Sequence, residues 1–240
     1  MKPKIDFLTI IYQNYELLDL QLKNFQKRFD KNDYRLIIVD NTPNHLKQKI
    51  ETNILIDEIL ILDSHVAFDG WSHGHAIEEG LKLCTSDIIC IFDSDFFFLQ
   101  SGLCEYVIDK FEGGYKAVGA EWNDGCDTYN WVVQRPHMYE NIPCVFGAFY
   151  DKDLVKSQTF VMTEQECKDN IHTGFIEVGC NIRKYILDNN IKTMAWKGSR
   201  GPVKGNCFFR DEKENLIGYH VVQGSFKGNL KEHLQPILGI

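Results

Sequence analysis

The sequence predicts an α/β layered fold with a mostly parallel central sheet flanked by helices. Three observations point to it. Residues 5–12, 34–39, 56–62 and 88–92 are short apolar runs of strand composition. The runs are continuously apolar rather than alternating, as in strands buried on both faces. Stretches with helical spacing separate them, and alternating strands and helices build a parallel sheet with right-handed crossovers.

The elements follow in order. Residues 15–29 place Leu18, Leu22, Phe25 and Phe29 at helical spacing. The second strand, 34–39, ends in the turn cluster Asp40-Asn41-Thr42-Pro43. Residues 72–83 put Ala76, Ile77, Gly80 and Leu81 on one helix face, ahead of the strand at 88–92. The second half is less regular. A helix is expected at 100–111, a strand at 115–122 and a loop rich in Trp, Tyr, Asn and Asp at 123–139. Then come a compact apolar stretch at 145–154, a helix at 182–187, and strands at 191–196 and 216–222. With no repeat or linker in sight, residues 1–240 read as one domain. Residues 1–99 form a nucleotide-type half and 100–240 a more variable half.

Composition narrows the function. The chain has 240 residues, 44% hydrophobic and 25% charged, which are globular values. The net charge of -8 argues against a general nucleic-acid binder, which needs a basic face to release counterions. No apolar run approaches the roughly 18 residues of a membrane span. Residues 1–6 carry charge without a following signal-peptide core. The expectation is a cytoplasmic protein with no transmembrane segment. None of the eight cysteines forms a C-x-x-C pair, and Cys90 lies inside an apolar run. They read as small buried thiols of a reducing compartment.

Open α/β sheets bind ligands beyond the carboxyl ends of their strands. Those ends carry Tyr12-Gln13-Asn14, Asp40-Asn41, Asp63-Ser64-His65 and Asp93-Ser94-Asp95. In the last, strand periodicity would put both carboxylates on one side with Ser94 opposite. Two acids held together repel, and one pKa rises unless a cation intervenes. A hard divalent ion resolves the conflict, and its oxygen ligands commonly include substrate phosphates. The alternative is a pair of solvated acids in a turn. His73 and His75 flank Gly74 near a helix N-terminus, where phosphate or ribose would be welcome; the alternative is two surface histidines bonded to backbone. Residues 197–205 are basic and glycine-rich but lack Walker spacing. They read either as an exposed loop or as a mobile lid whose Arg200 and Lys204, with Lys227, neutralise a leaving diphosphate.

These motifs, in this order, resemble the GT-A-fold (nucleotide-diphospho-sugar transferase) glycosyltransferases, especially family-2-like enzymes. The match rests on Tyr12-Gln13-Asn14, on Val39-Asp40-Asn41-Thr42, on His73-Gly74-His75-Ala76-Ile77, on Asp93-Ser94-Asp95 and on Phe146-Gly147-Ala148-Phe149. It covers residues 4–155 well and the rest loosely. The resemblance implies a transferase moving a sugar from a nucleotide-diphosphate donor to a glycan or other hydroxyl-bearing acceptor, with inversion. It implies Mn2+ or Mg2+ on Asp93 and Asp95, with His220 in the place of a C-terminal histidine ligand. Tyr12, Asp40 and Asn41 would lie at the donor base; for Asp40 the alternative is a turn residue bonding its own backbone. The segment Phe175-Ile176-Glu177 ahead of Arg183 partly fits the family's base segment, making Glu177 the first choice to deprotonate the acceptor and Asp169 the second. Apart from the resemblance, the loop aromatics Trp122, Trp131 and Tyr139 could stack on an acceptor sugar; the alternative is packing in the core.

Two other readings remain at this stage. A haloacid-dehalogenase-like phosphatase also has D-x-D after an apolar strand, but Phe96-Phe97-Phe98 stands where small residues should, and no later segment is a good candidate for the acidic pair that fold needs after a strand. A nucleotide-sugar-binding module without transfer is the non-enzymatic reading.

Overall fold

A computed structural model describes residues 4–51, 53–62, 69–121, 141–161, 178–202, 206–221 and 229–240. The apolar runs form strands β1 (Ile5–Ile11), β2 (Tyr34–Asp40), β3 (Glu58–Ile61) and β4 (Ile88–Asp93). All four are parallel neighbours in the order β3-β2-β1-β4. β1, at the centre, is buried along its whole length, which is why its sequence does not alternate.

Helix α1 (Tyr15–Arg28) covers one face and α2 (Asp69–Leu83) the other. Leu18, Leu22 and Phe25 of α1 join Phe7, Phe92, Phe98 and Phe149 in an aromatic-rich core. Phe7 packs edge-on against Phe25, Phe92, Phe98 and Phe149, each with ring centroids 5.1–6.1 Å away. Each fully buried Phe contributes roughly 1.5–3 kcal/mol by apolar burial. Ala76, Ile77 and Leu81 of α2 close on Leu8, Ile10, Ile37 and Val39 from the opposite side. The buried charge of Asp6 is met by the Thr85 and Ser86 N–H groups, the Ser86 hydroxyl and, at 3.5 Å, Arg35.

The second half adds β5 (Phe96–Phe98), α3 (Leu103–Glu112), β6 (Ala117–Glu121), β7 (Pro143–Asp151), α4 (Lys152–Lys156) and α5 (Cys180–Asp188). β8 (Thr193–Arg200), β9 (Cys207–Arg210), β10 (Leu216–His220) and α6 (Leu230–Leu238) complete the described residues. Their strands extend the same sheet to β3-β2-β1-β4-β7-β6-β8-β9-β10-β5. Apart from the parallel pair β6–β8, the added pairings are antiparallel. Only Ser94 and Asp95 separate β4 from β5 in sequence, yet six places separate them in the sheet. The sheet therefore folds back on itself, and the acidic turn stands where it closes.

The structure departs from the sequence reading at three places. The basic segment begins as strand, not loop: Lys197 to Arg200 finish β8 and pair with β9. Lys197 donates to Glu121 and to the Asn141 side chain, both at 2.8 Å, so its charge is engaged in the sheet. Strands β5 and β9, three and four residues long, carried too short a pattern to be read. Cys84, Cys90, Cys104 and Cys144 are buried thiols as expected, but Cys207 is disulfide-bonded, to a partner outside the described side chains. Pairing of that kind has no signature in spacing alone. No helix among the described residues is long and apolar enough to cross a membrane.

Candidate metal and donor site

The parallel strands deliver their carboxyl ends together. Register pairs Ile11 of β1 with Asp40 of β2, and Ile10 with Asp93 of β4. Asp93 is the last residue of β4, while Ser94 and Asp95 form a turn. The two carboxylates come together because of that turn, not through strand alternation. Fold closure then brings in β10, whose His220 pairs with Phe96, the residue after Asp95.

The result is a cluster of Asp93, Asp95 and His220, with one ligand atom of each lying within 4.8 Å of the others. His220 Nε2 is 3.2 Å from Asp95 Oδ1. That is about the separation of two adjacent ligands each roughly 2.1 Å from one octahedral ion. Desolvation raises the Asp93 carboxyl above its ordinary value and neighbouring Asp95 adds to the rise, while His73 and His220 oppose it. Two acids and an imidazole with a raised carboxyl are a donor set suited to a divalent ion. Carboxylate and imidazole together fit manganese, and magnesium accepts the carboxylates.

Backbone contacts hold the turn from both sides. Gln21 of α1 donates from Nε2 to the carbonyls of Asp93 (3.1 Å) and Phe96 (3.3 Å), bracketing the turn. Asn14 Nδ2 donates to Ser94 Oγ at 3.3 Å, and the Val221 N–H donates to the Asp95 carbonyl at 2.9 Å. Sequence reasoning passed over Gln21 and, although it noted the Tyr12-Gln13-Asn14 segment, gave Asn14 no role. One signal was available: Gln21 sits on the apolar face of α1 between Leu18 and Phe25 and is buried, and a buried amide needs partners. The Phe96 ring lies between two glycines. A Cβ at Gly147 would approach it to 2.6 Å, and one at Gly218 to 2.5 Å. Gly147 of the Phe-Gly-Ala-Phe segment thus makes room for the strand that follows the acids.

The histidines of α2 part company. His73 Nε2 lies 3.7 Å from Asp93 Oδ1, so it faces the acidic cluster. His75 acts on Glu78, whose carboxylate accepts from the Thr159 hydroxyl and the Phe160 and Val161 N–H groups. At the other strand ends, Tyr12 is 47% exposed, whereas Asp40 is only 1% exposed. Asp40 accepts from the Thr42 N–H (3.0 Å) and from the Tyr15 hydroxyl (2.9 Å), the first being the turn bond offered above as its alternative. Tyr15, also unread in the sequence, accepts in turn from the Gln48 N–H at 3.0 Å. Asn41 Nδ2 donates to the carbonyl and hydroxyl of Ser72, tying β2 to α2.

Arg200 ends β8 with its side chain exposed. Register aligns it with Cys207 and, one strand further, with His220. Two strand spacings put it about 10 Å from the histidine. Glu177, Asp169, Lys204, Lys227, Trp122, Trp131 and Tyr139 lie outside the described residues.

A family model described as glycosyl transferase family 2 matches residues 7–189. No curated protein matches the chain. Among solved structures, S. aureus TarS shares 13% identity at a TM-score of 0.46, over 68% of this chain and 31% of its own. The mannosyltransferase PcManGT from Pyrobaculum calidifontis, in complex with GDP-Man and Mn2+, shares 14% at 0.44, over 67% of this chain and 48% of its own. TarS 1-349 in complex with UDP-GlcNAc shares 13% at 0.43, over 64% and 47%. The chain spans between 31% and 48% of the length of these structures.

Proposed function

Because the chain belongs to glycosyl transferase family 2, we propose that it moves a sugar from a nucleotide-diphosphate donor to an acceptor hydroxyl, with inversion. The observation that carries this reading is the convergence of Asp93, Asp95 and His220 where the sheet closes. Family membership also displaces the phosphatase alternative.

In this reading Asp93, Asp95 and His220 hold Mn2+ or Mg2+. The bound ion supplies charge stabilisation to the diphosphate as it leaves. Tyr12 offers an exposed ring for the base to lie against. Asp40 accepts from a base N–H through lone-pair sites that Thr42 and Tyr15 leave, since a carboxylate has about four. Asn41 fixes the end of β2 beside it. His73 and His75 serve the phosphate or ribose side, with His73 beside Asp93. Arg200 and Lys204 add positive charge near the diphosphate, and such contacts strengthen as charge develops on the leaving group. Glu177, or else Asp169, takes the proton from the acceptor hydroxyl, whose oxygen then attacks the anomeric carbon from the face opposite the diphosphate. The acceptor is a glycan or another hydroxyl-bearing molecule.

Thermal shift with UDP and GDP, each with and without manganese, tests donor and metal together. A shift that requires both is expected, followed by sugar transfer in a turnover assay. Binding without transfer leaves the inactive binding module. A shift indifferent to manganese removes the metal from the reading.

A further inference from the structure

The three residues of the acidic cluster are anchored differently. Asp93 and Asp95 sit on backbone held by Gln21 and Val221. His220 ends a strand, and the torsion that turns an imidazole about its own axis is broad and only weakly restricted by local sterics. Something must fix the ring plane for Nε2 to face Asp95.

Phe146 of β7 is in place to do so. Its ring stacks on the His220 imidazole with centroids 4.7 Å apart and planes within 10°. Phe146 is itself immobilised: it is 4% exposed and packs against Phe96 at 6.1 Å and Phe209 at 5.8 Å. Phe96 and Phe209 contact one another at 5.8 Å, so three Phe rings form a wall behind the histidine. Phe96 also touches His220 directly, tilted at 37° and 6.3 Å away.

We infer that Phe146 is a positioning residue for the metal site, setting the plane of His220 so that its Nε2 is presented beside Asp95. The inference rests on the metal reading above and adds a residue that the reaction itself does not name. Partners that orient a metal-binding histidine are typically worth 10–100-fold in metal affinity. Stacking is the means here: rotating the imidazole out of the plane would drive its edge into the Phe146 face.

The test is a double-mutant cycle read as manganese affinity, from the loss of the free-ion electron paramagnetic resonance signal with UDP or GDP present. Phe146→Leu keeps apolar bulk and removes the flat surface. We expect it to weaken manganese binding about 10-fold in the otherwise native chain. In a His220→Ala background it should change nothing further, because the residue through which it acts is gone. Phe146→Tyr, which keeps the ring, should restore near-native affinity. An equal loss in both backgrounds would show general damage to the cluster and overturn the positioning role, as would native affinity for Phe146→Leu. If the unmutated chain binds no manganese, or His220→Ala binds it as well as the unmutated chain, the metal reading itself fails. That outcome appears without any Phe146 variant, so the two failures are told apart.

Discussion

The two ends of the candidate site are built by different means. At Asp40 the partners are Thr42, two residues on, and Tyr15, whose hydroxyl accepts in turn from the Gln48 N–H. At Asp95 the decisive partner, His220, lies 125 positions away and arrives only because β10 docks on β5. The Asp40 end is thus local and parallel, the acidic end long-range and antiparallel. Local contacts leave traces in sequence, whereas contacts made by closure leave only candidate residues.

The largest way to break this comparison is Asp95→Ala. Removing one charged ligand should lower metal-dependent kcat/KM on the order of a thousandfold, since several kcal/mol of charge stabilisation are at stake. The melting temperature should change little, because Asp95 accepts the Val221 N–H through its main chain. Near-normal turnover by the folded variant would detach the acids from the chemistry.

Gln21→Met comes next. It preserves length but strands the Asp93 and Phe96 carbonyls, which Gln21 holds at 3.1 and 3.3 Å. A loss of about 1–3 kcal/mol is expected in denaturant unfolding, with weaker manganese binding besides. Full stability in the variant would mean that the turn keeps its shape without the clamp.

At the local end, Tyr15→Phe deletes one hydroxyl that bridges Asp40 and Gln48. Donor KM should rise a few-fold with kcat nearly unchanged, as befits a contact remote from bond breaking. A fall in kcat instead would put Asp40 closer to the reacting atoms than the base.

The smallest effect concerns pH. The Tyr219 hydroxyl, which Asn206 Nδ2 donates to, lies 3.0 Å from His233 Nε2. Burial lowers the pKa of His233 below the ordinary histidine value. A lowered histidine stabilises the folded state fully above its ordinary pKa and loses that contribution as pH falls through the lower folded value. Melting temperature should therefore decline from pH 7.5 towards pH 5, and His233→Gln should flatten that part of the decline. An unchanged slope would assign the acid sensitivity to other groups.

Legibility followed the same division. The strands β1, β2 and β4 were readable because burial on both faces forces unbroken apolar runs. Asp93, Asp95 and His220 could each be nominated, the acids by their place after β4 and the histidine only through resemblance. Their convergence was expected through the resemblance alone and has no signature in spacing, since it depends on β5, whose three phenylalanines look like a continuation of a strand core. Lys197 to Arg200 looked like a loop because glycine and cations disfavour a central strand, but in the structure the β9 pairing and the Glu121 carboxylate supply what intrinsic preference withholds. Gln21 was hidden by being polar on an apolar face, where pattern reading counts it as noise.

The fold-back of the sheet also orders events in time. β5 emerges early in synthesis, but the strand that pairs with it is about 120 residues further along the chain. Pairings of such separation are slow to form, because the loop between them must be closed before the contact rewards it. Until β10 arrives, Phe96, Phe97 and Phe98 have no strand partner among the described residues. The parallel strands can assemble around β1 in the meantime. Completion of the acidic cluster is then one of the last steps of folding, and ion binding there would report that the whole chain has closed.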